Sequence, residues 1–242
     1  MARKASVGEA DKAPGARKSA GAAATPPSGR AVDDTLQSIL DAAEMLFAEH
    51  GIEGTSVRSV LATAGANVAA VHYHFGSKDR LVEEVFKRRA DRIATDRIAG
   101  LRAALANPDP EGRLERILRA FLESGFTGSD TPEAAARFAR LRARILSEDS
   151  DLARRLQSQS FDGSSNEFMK AIGEVLPHLD ETQIGWRFHA MLGIMVYTMA
   201  NPGRIQALTH GRVDPSDYLA AVDQLLPVVA ALFRSEAAPA KG

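Results

Sequence analysis

Two histidines, a tyrosine and two cations fall close together in this chain: Arg58, then His72, Tyr73, His74 and Lys78, with glycines at 65 and 76 dividing the stretch. His72 and His74 are two residues apart, so on a helix their side chains diverge, and with no third ligand beside them they do not form a metal site. The chain has no cysteine, which removes thiol catalysis, disulfides and cysteine-ligated zinc together. Acid–base sets such as His189 with Asp180 or Glu181 can be drawn for an all-α enzyme or carrier acting on a lipid-like molecule. No nucleophile elbow, phosphate-binding glycine loop or metal-ligand spacing accompanies them. The sequence thus offers no reason to expect a catalytic residue, a cofactor or a metal, and the chemistry left is contact with another molecule.

The elements that must position these residues can be read from spacing. Leu36, Ile39, Leu40, Ala43 and Phe47 fall on one helical face, which predicts a helix over 35–50, capped by Asp33, Asp34 or Thr35 and ended by Gly51. Thr55 or Ser56 can cap a second helix through Val57, Val60, Leu61 and Ala64. Gly65 supplies the left-handed turn, and Asn67 can cap a third helix that ends at Gly76. Two short helices joined by a tight glycine turn, preceded by a longer one, read as a helix-turn-helix on a three-helix core.

The run Thr55-Ser56-Val57-Arg58 through Ala64-Gly65-Ala66-Asn67-Val68-Ala69-Ala70-Val71-His72-Tyr73-His74-Phe75-Gly76-Ser77-Lys78-Asp79-Arg80-Leu81 resembles the DNA-binding region of TetR-type (tetracycline-repressor-like) regulators. The likeness covers about 35–85. Two positions depart from it: His72 stands where many members have Tyr, and Ala66 where Val is common. The resemblance implies that Val68, Ala69, Ala70 and His72 approach base edges, while Tyr73, His74 and Lys78 hold phosphates and Arg58 reaches base or backbone. The capping residues Thr55, Ser56 and Asn67 complete the expected DNA surface. The small side chains offer thymine-methyl contact but no bidentate hydrogen bonds, which leaves specificity to Arg58, His72 and DNA shape.

Beyond Ser77 a long helix is expected toward Asn107-Pro108, then Glu111 to Phe126, then a helix with Thr131 as cap and Pro132 at its first position. One or two helices follow over Asp151 to Leu176, broken near Gly163-Ser164-Ser165. Thr182 to Ala200 is apolar nearly all round, and Asp217 to Phe233 is similar but holds Pro227, where a kink is expected. Such a pair suits a homodimer interface built from the last two helices, or else the core of one chain, and the resemblance favours the first. It also implies a small-molecule cavity in this half. The candidate lining residues are Phe121, Phe126, Phe138, Leu141, Ile145, Phe161, Phe168, Met169, Trp186 and Met195, with Arg142 and His189 as polar anchors. A weaker likeness of the Trp186-to-Gly193 segment to regulators of lipid metabolism suggests an acyl or lipid-like effector.

Aromatic residues make up only 6% of the 242, and strand alternation is absent, so the fold class expected is all-α, with about nine helices. The expected division is a disordered basic tail over 1–32, a helix-turn-helix DNA-binding domain over 33–80, a C-terminal helical effector-binding and dimerisation domain over 81–235, and a disordered end over 236–242. Net charge is −1 overall, yet +4 over 1–32 and −4 over 33–80. That acidic balance argues against DNA, but most of the acids lie on the first helix or its ends, which can face away. The tail would add nonspecific phosphate contacts or act only as a solubilising extension. It lacks the apolar run of a secretory signal, and Ala190 to Ala200 is about half the roughly 20 residues of a membrane span, so a cytoplasmic protein with no membrane contact is expected. The reading as a whole is a ligand-responsive regulator that binds a palindromic double-stranded operator as a dimer and is released by a hydrophobic small molecule.

Overall fold

The computed structural model describes residues 29–66, 75–127, 131–148, 150–200, 203–214 and 216–236, and every regular element among them is a helix. The expected contacts Asn67, Val68, Ala69, Ala70, His72, Tyr73 and His74 lie outside the described residues, as do residues 1–28 and 237–242.

Helix α1 (Gly29–His50) starts ahead of the expected 35, inside the segment expected to be tail, so Asp33, Asp34 and Thr35 stand within the helix and not at its cap. From Arg30 to His50 the sequence holds neither glycine nor proline, so nothing in it stops the helix from extending back. Ile39, Ala43 and Phe47 are its buried face, and the Gly51 amide closes it on Phe47 O at 3.0 Å with φ at 76°. Helix α2 (Val57–Ala64) is capped by Ser56, whose Oγ accepts the Ser59 amide, and it ends at Gly65 with φ 64°.

Helix α3 (Lys78–Ala106) begins at the Ser77 cap and is roughly 40 Å long at 1.5 Å per residue. Helix α4 (Arg113–Thr127) returns along it. Helix α5 (Pro132–Leu146) has Pro132 in its first turn and Thr131 Oγ1 accepting the Ala134 amide, as the spacing predicts. Helix α6 (Asp151–Gln157) runs through a π-helical turn, Ser158–Asp162, into α7 (Gly163–Val175). No break occurs at 163–165, which are α-helical; the widened turn lies just ahead of them, and the buried Ser164 hydroxyl donates to Phe161 O at 3.1 Å. Helices α8 (Glu181–Ala200), α9 (Arg204–Leu208) and α10 (Tyr218–Arg234) complete the order, with Pro227 inside α10.

Two apolar cores result. The head core takes α1, α2 and the first half of α3 (Leu81, Val85, Phe86, Ile93), and it also takes Phe138, Leu141 and Ile145 from α5 and Phe161 from the π turn. The body core takes Leu101 and Ala104 from the second half of α3, together with α4, α7, α8, α10 and the small face of α5, Ala139 and Ala143. Helices α3 and α5 thus each serve both cores. The body is tied at its end by Arg187, whose Nε donates to Leu232 O at 3.1 Å and Nη2 to Ser235 O at 2.8 Å, satisfying the free carbonyls of α10.

One carboxylate fastens the head. Glu44 on α1 is 1% exposed, and its Oε2 accepts from Arg88 Nη2 at 2.8 Å and Arg89 Nε at 2.9 Å, both on α3. Its Oε1 faces Arg137 of α5 at 3.9 Å. Replacing Glu44 by Ala leaves three arginines facing one another around a buried gap and is expected to cost about 3 kcal/mol in urea unfolding. A loss under about 1 kcal/mol would mean that the cluster behaves as a solvated surface pair.

Candidate nucleic-acid interface and effector cavity

The helix-turn-helix surface is built from α2, the Gly65 turn and the start of α3. Along α2 the exposed residues are Arg58, Ser59, Ala62 and Thr63, following exposed Ser56, and none is acidic. Lys78 is half-buried at the first position of α3. Thr55 does not belong to this surface. It is 3% exposed, and its hydroxyl lies 2.8 Å from Gly51 O and 3.1 Å from Leu46 O, locking the connector onto the end of α1. Part of the acidic balance of the head is offset within it: Glu44 of α1 is turned inward onto Arg88 and Arg89 of α3, and exposed Asp41 is paired with Arg88.

All but Arg142 and Phe161 of the expected effector-lining residues divide into three groups. Phe138, Leu141 and Ile145 belong to the head core, because that face of α5 packs under α3 with Phe86 and Phe138 ring centroids 5.5 Å apart. Trp186 is 70% exposed and His189 also faces outward, edge-on to it at 5.8 Å. Neither can line an inner cavity, since the opposite face of α8, with Phe188, Met191 and Met195, is the one that enters the core. Phe121, Phe126, Phe168 and Met195 are fully enclosed in the body core, with Met169 packed at its margin. The His189 acid–base sets do not assemble: Asp180 Oδ1 accepts the Gln183 amide at 2.8 Å at the start of α8, and His189 lies roughly 13 Å further along that helix.

Arg142 and Phe161 meet at the junction of the two cores, and a third residue meets them there. Arg97 of α3 is 1% exposed, with its guanidinium carbon 3.9 Å from the Phe121 ring centre and 5.1 Å from that of Phe161. Arg142 is 3% exposed, stands 4.8 Å over Phe161, and donates from Nη1 to Gly125 O at 3.0 Å. Arg97 Nε and Nη2 and Arg142 Nε have no hydrogen-bond partner among the described residues. Burial, and then the like charge of Arg142, holds Arg97 well below the usual arginine range, and burial lowers Arg142 to about 10. Sequence reasoning missed Arg97. Its signal was an arginine at the buried position of the series Phe86, Ala90, Ile93, Leu101, Ala104. A separate groove of about 520 Å³, open to solvent, lies between Tyr197 and Thr198 of α8, Ile205 of α9 and the start of α10, and none of the expected lining residues borders it.

This geometry has counterparts among known proteins. Residues 39–85 match the model of bacterial regulatory proteins of the tetR family, and 119–231 match that of the tetracyclin repressor-like C-terminal domain. The chain is 32% identical over 151 residues to the HTH-type transcriptional repressor ComR of Escherichia coli K12, an alignment covering 60% of this chain and 70% of that one. It is 30% identical over 169 residues to the HTH-type transcriptional repressor Rv3405c of Mycobacterium tuberculosis H37Rv, covering 68% and 77%. Its fold is similar to the crystal structure of the TetR family regulator PfmR from Thermus thermophilus, with a TM-score of 0.55 at 21% identity, over 83% of this chain and 96% of that one. Among the described residues no helix is long and apolar enough to cross a membrane.

Thr55 provides the check on this assignment of roles. Thr55→Val removes the one hydroxyl hydrogen shared between the Gly51 and Leu46 carbonyls and is expected to lower stability by about 1 kcal/mol while leaving the nucleic-acid affinity of the folded protein unchanged. A selective loss of affinity at constant stability would return Thr55 to the contact surface.

Proposed function

The chain belongs to the tetR family of bacterial transcriptional regulators, and from that premise we propose that it is a homodimeric repressor whose two heads bind a palindromic operator and are released by a hydrophobic small molecule. The reading assigns DNA binding to 33–80 and effector binding with dimerisation to 81–235. Ser56, Arg58, Asn67, Val68, Ala69, Ala70, His72, Tyr73, His74 and Lys78 are its DNA contacts, base edges falling to the small residues with His72 and phosphates to Tyr73, His74 and Lys78. Two-fold symmetry then requires half-sites about 10 bp apart, or a multiple of that.

The observation that carries the reading is the shared core. Because α3 and α5 contribute to head and body alike, a ligand that repacks the body must act on the head. Phe121, Phe126, Arg142, Phe161, Phe168, Met169 and Met195 are the effector-facing residues in this reading. Linkage then makes effector and operator weaken each other equally.

An unpartnered face on the last two long helices supports the dimer. Trp186, Gly193 and Tyr197 lie along one exposed side of α8, Tyr197 is 57% exposed, and nothing approaches a Cβ built on Gly193 within 4 Å. On α10 the exposed arc is centred on Ala220, Pro227 and Ala231, with Leu219 and Val228 at its edges and Asp223 and Gln224 within it. Large side chains flanking small ones let helices of a second copy approach closely, and exposed Trp186, Tyr197, Leu219 and Val228 give such a contact its apolar anchors.

Two measurements test this. Trp186→Arg combined with Tyr197→Arg should yield a folded monomer by light scattering, with operator binding lost; a variant that stays dimeric moves the interface elsewhere. Arg58→Ala and Lys78→Ala should each weaken binding to a selected duplex and reduce the slope of log K against log salt by about 1. Unchanged slopes would exclude both residues from the phosphate contacts.

A further inference from the structure

We propose that the junction between the two cores is a binding site for the anionic head of an organic acid, gripped by Arg97 and Arg142. The proposal rests on the effector reading above and names the chemistry of that effector.

Among the described residues the two guanidiniums are enclosed without a carboxylate. Elsewhere the enclosed charges have partners, Glu44 with Arg88 and Arg89 and Arg187 with the carbonyls at the end of α10. The rings of Phe121 and Phe161 face Arg97, but a cation–π contact offsets only a small part of what desolvating a guanidinium costs. Three of the nitrogens keep unused N–H groups, Nε and Nη2 of Arg97 and Nε of Arg142. An Nε and Nη pair on one guanidinium is the fork that a carboxylate accepts bidentately.

Room for the head group can come from Gly125 and Met195. A Cβ on Gly125 would lie 3.7 Å from Arg97 Nη2 and 4.0 Å from Arg142 Nη1, so the space above this glycine is common to both cations. The Met195 methyl now fills it, close against that Cβ position. Methionine is unbranched and readily swings aside, so the plug is a movable one. Phe121, which faces Arg97, packs edge-on against Phe168 and Phe188, an apolar wall that suits a hydrocarbon or aromatic body and not an inorganic ion. The π turn places Phe161 against both cations and 5.9 Å from Phe86 of α3, so an anion entering the junction presses on the ring that packs the head core.

The test uses the full chain, with thermal unfolding and release from a duplex selected out of random DNA as its two readouts. Octanoate and phenylacetate are the probes, octan-1-ol and 2-phenylethanol their neutral counterparts, and inorganic phosphate the control. The carboxylates should raise Tm by about 5 °C at roughly a hundred times Kd, with the alcohols and phosphate giving no comparable shift. Arg97→Met should raise the ligand-free Tm, since a well-packed apolar side chain replaces an unmatched charge, and should abolish the response to carboxylate. Arg142→Met should abolish that response too. Equal shifts from the alcohols, a shift from phosphate matching octanoate, no shift from either carboxylate, or a response surviving both substitutions would each overturn the proposal. A carboxylate shift that depends on both arginines but leaves DNA affinity unchanged would uphold the site and overturn its role as the effector site of a repressor.

Discussion

Burying two guanidinium groups with no carboxylate between them is the least favourable step in folding this interior. Each enclosed ion costs several kcal/mol even after relaxation, and a desolvated cation–π contact offsets about 2. Leucine or methionine at 97 and 142 would make a more stable core. The rest of the architecture is arranged around this layer: α3 and α5 both cross it, Phe121 covers it from the body, and Phe161 covers it from the head. The clusters of side chains packed on its head side and on its body side are apolar, so the layer is a charged section through an otherwise continuous interior.

The Glu44 cluster, with its arginines on the same two helices, shows the opposite solution. There a single carboxylate is surrounded by three arginines from two helices, and Arg88 reaches on to Asp41 and Gln37. Arg144 of α5 adds a hydrogen bond to Glu49 O near the end of α1. These polar ties, with the Phe86–Phe138 contact, bind α1, the first half of α3 and α5 into one unit. The rigid body that carries the nucleic-acid surface is therefore larger than the helix-turn-helix the sequence suggests, because it includes a helix more than fifty residues further along the chain.

Local signals were legible in the sequence where one or two residues decide the geometry. Gly65, Ser77 and the Thr131-Pro132 pair set a turn, a cap and a helix start, and the structure has each of them. What pattern could not convey was which of two cores a buried side chain enters. Phe138 and Phe121 look alike in sequence, yet one faces the head and the other the body. Trp186 reads as lining because large aromatics are usually inside, whereas its face of α8 is the one left open. Arg97 was passed over for the converse reason, since an arginine on a long amphipathic helix is ordinarily at the surface. Thr55 could be read as a contact because it neighbours Ser56, and only the position of the Leu46 and Gly51 carbonyls turns its hydroxyl inward.

The location of the charged layer matters for how a signal would travel. Arg97 lies nineteen residues from Lys78 on the same helix, a lever of roughly 28 Å, so tilting α3 by about 5° at the layer moves its leading end by about 2.5 Å. Because Glu44 and Phe86 fasten α5 to that lever, the tilt cannot be taken up by bending α3 alone. It must open or close the plane where the cation layer sits, between the two faces of α5. Packed interiors shift between discrete arrangements and do not deform smoothly, and an unmatched pair of like charges makes one arrangement sensitive to a single added anion. The same feature that destabilises this interior is thus what would let a small ligand choose between two positions of the head.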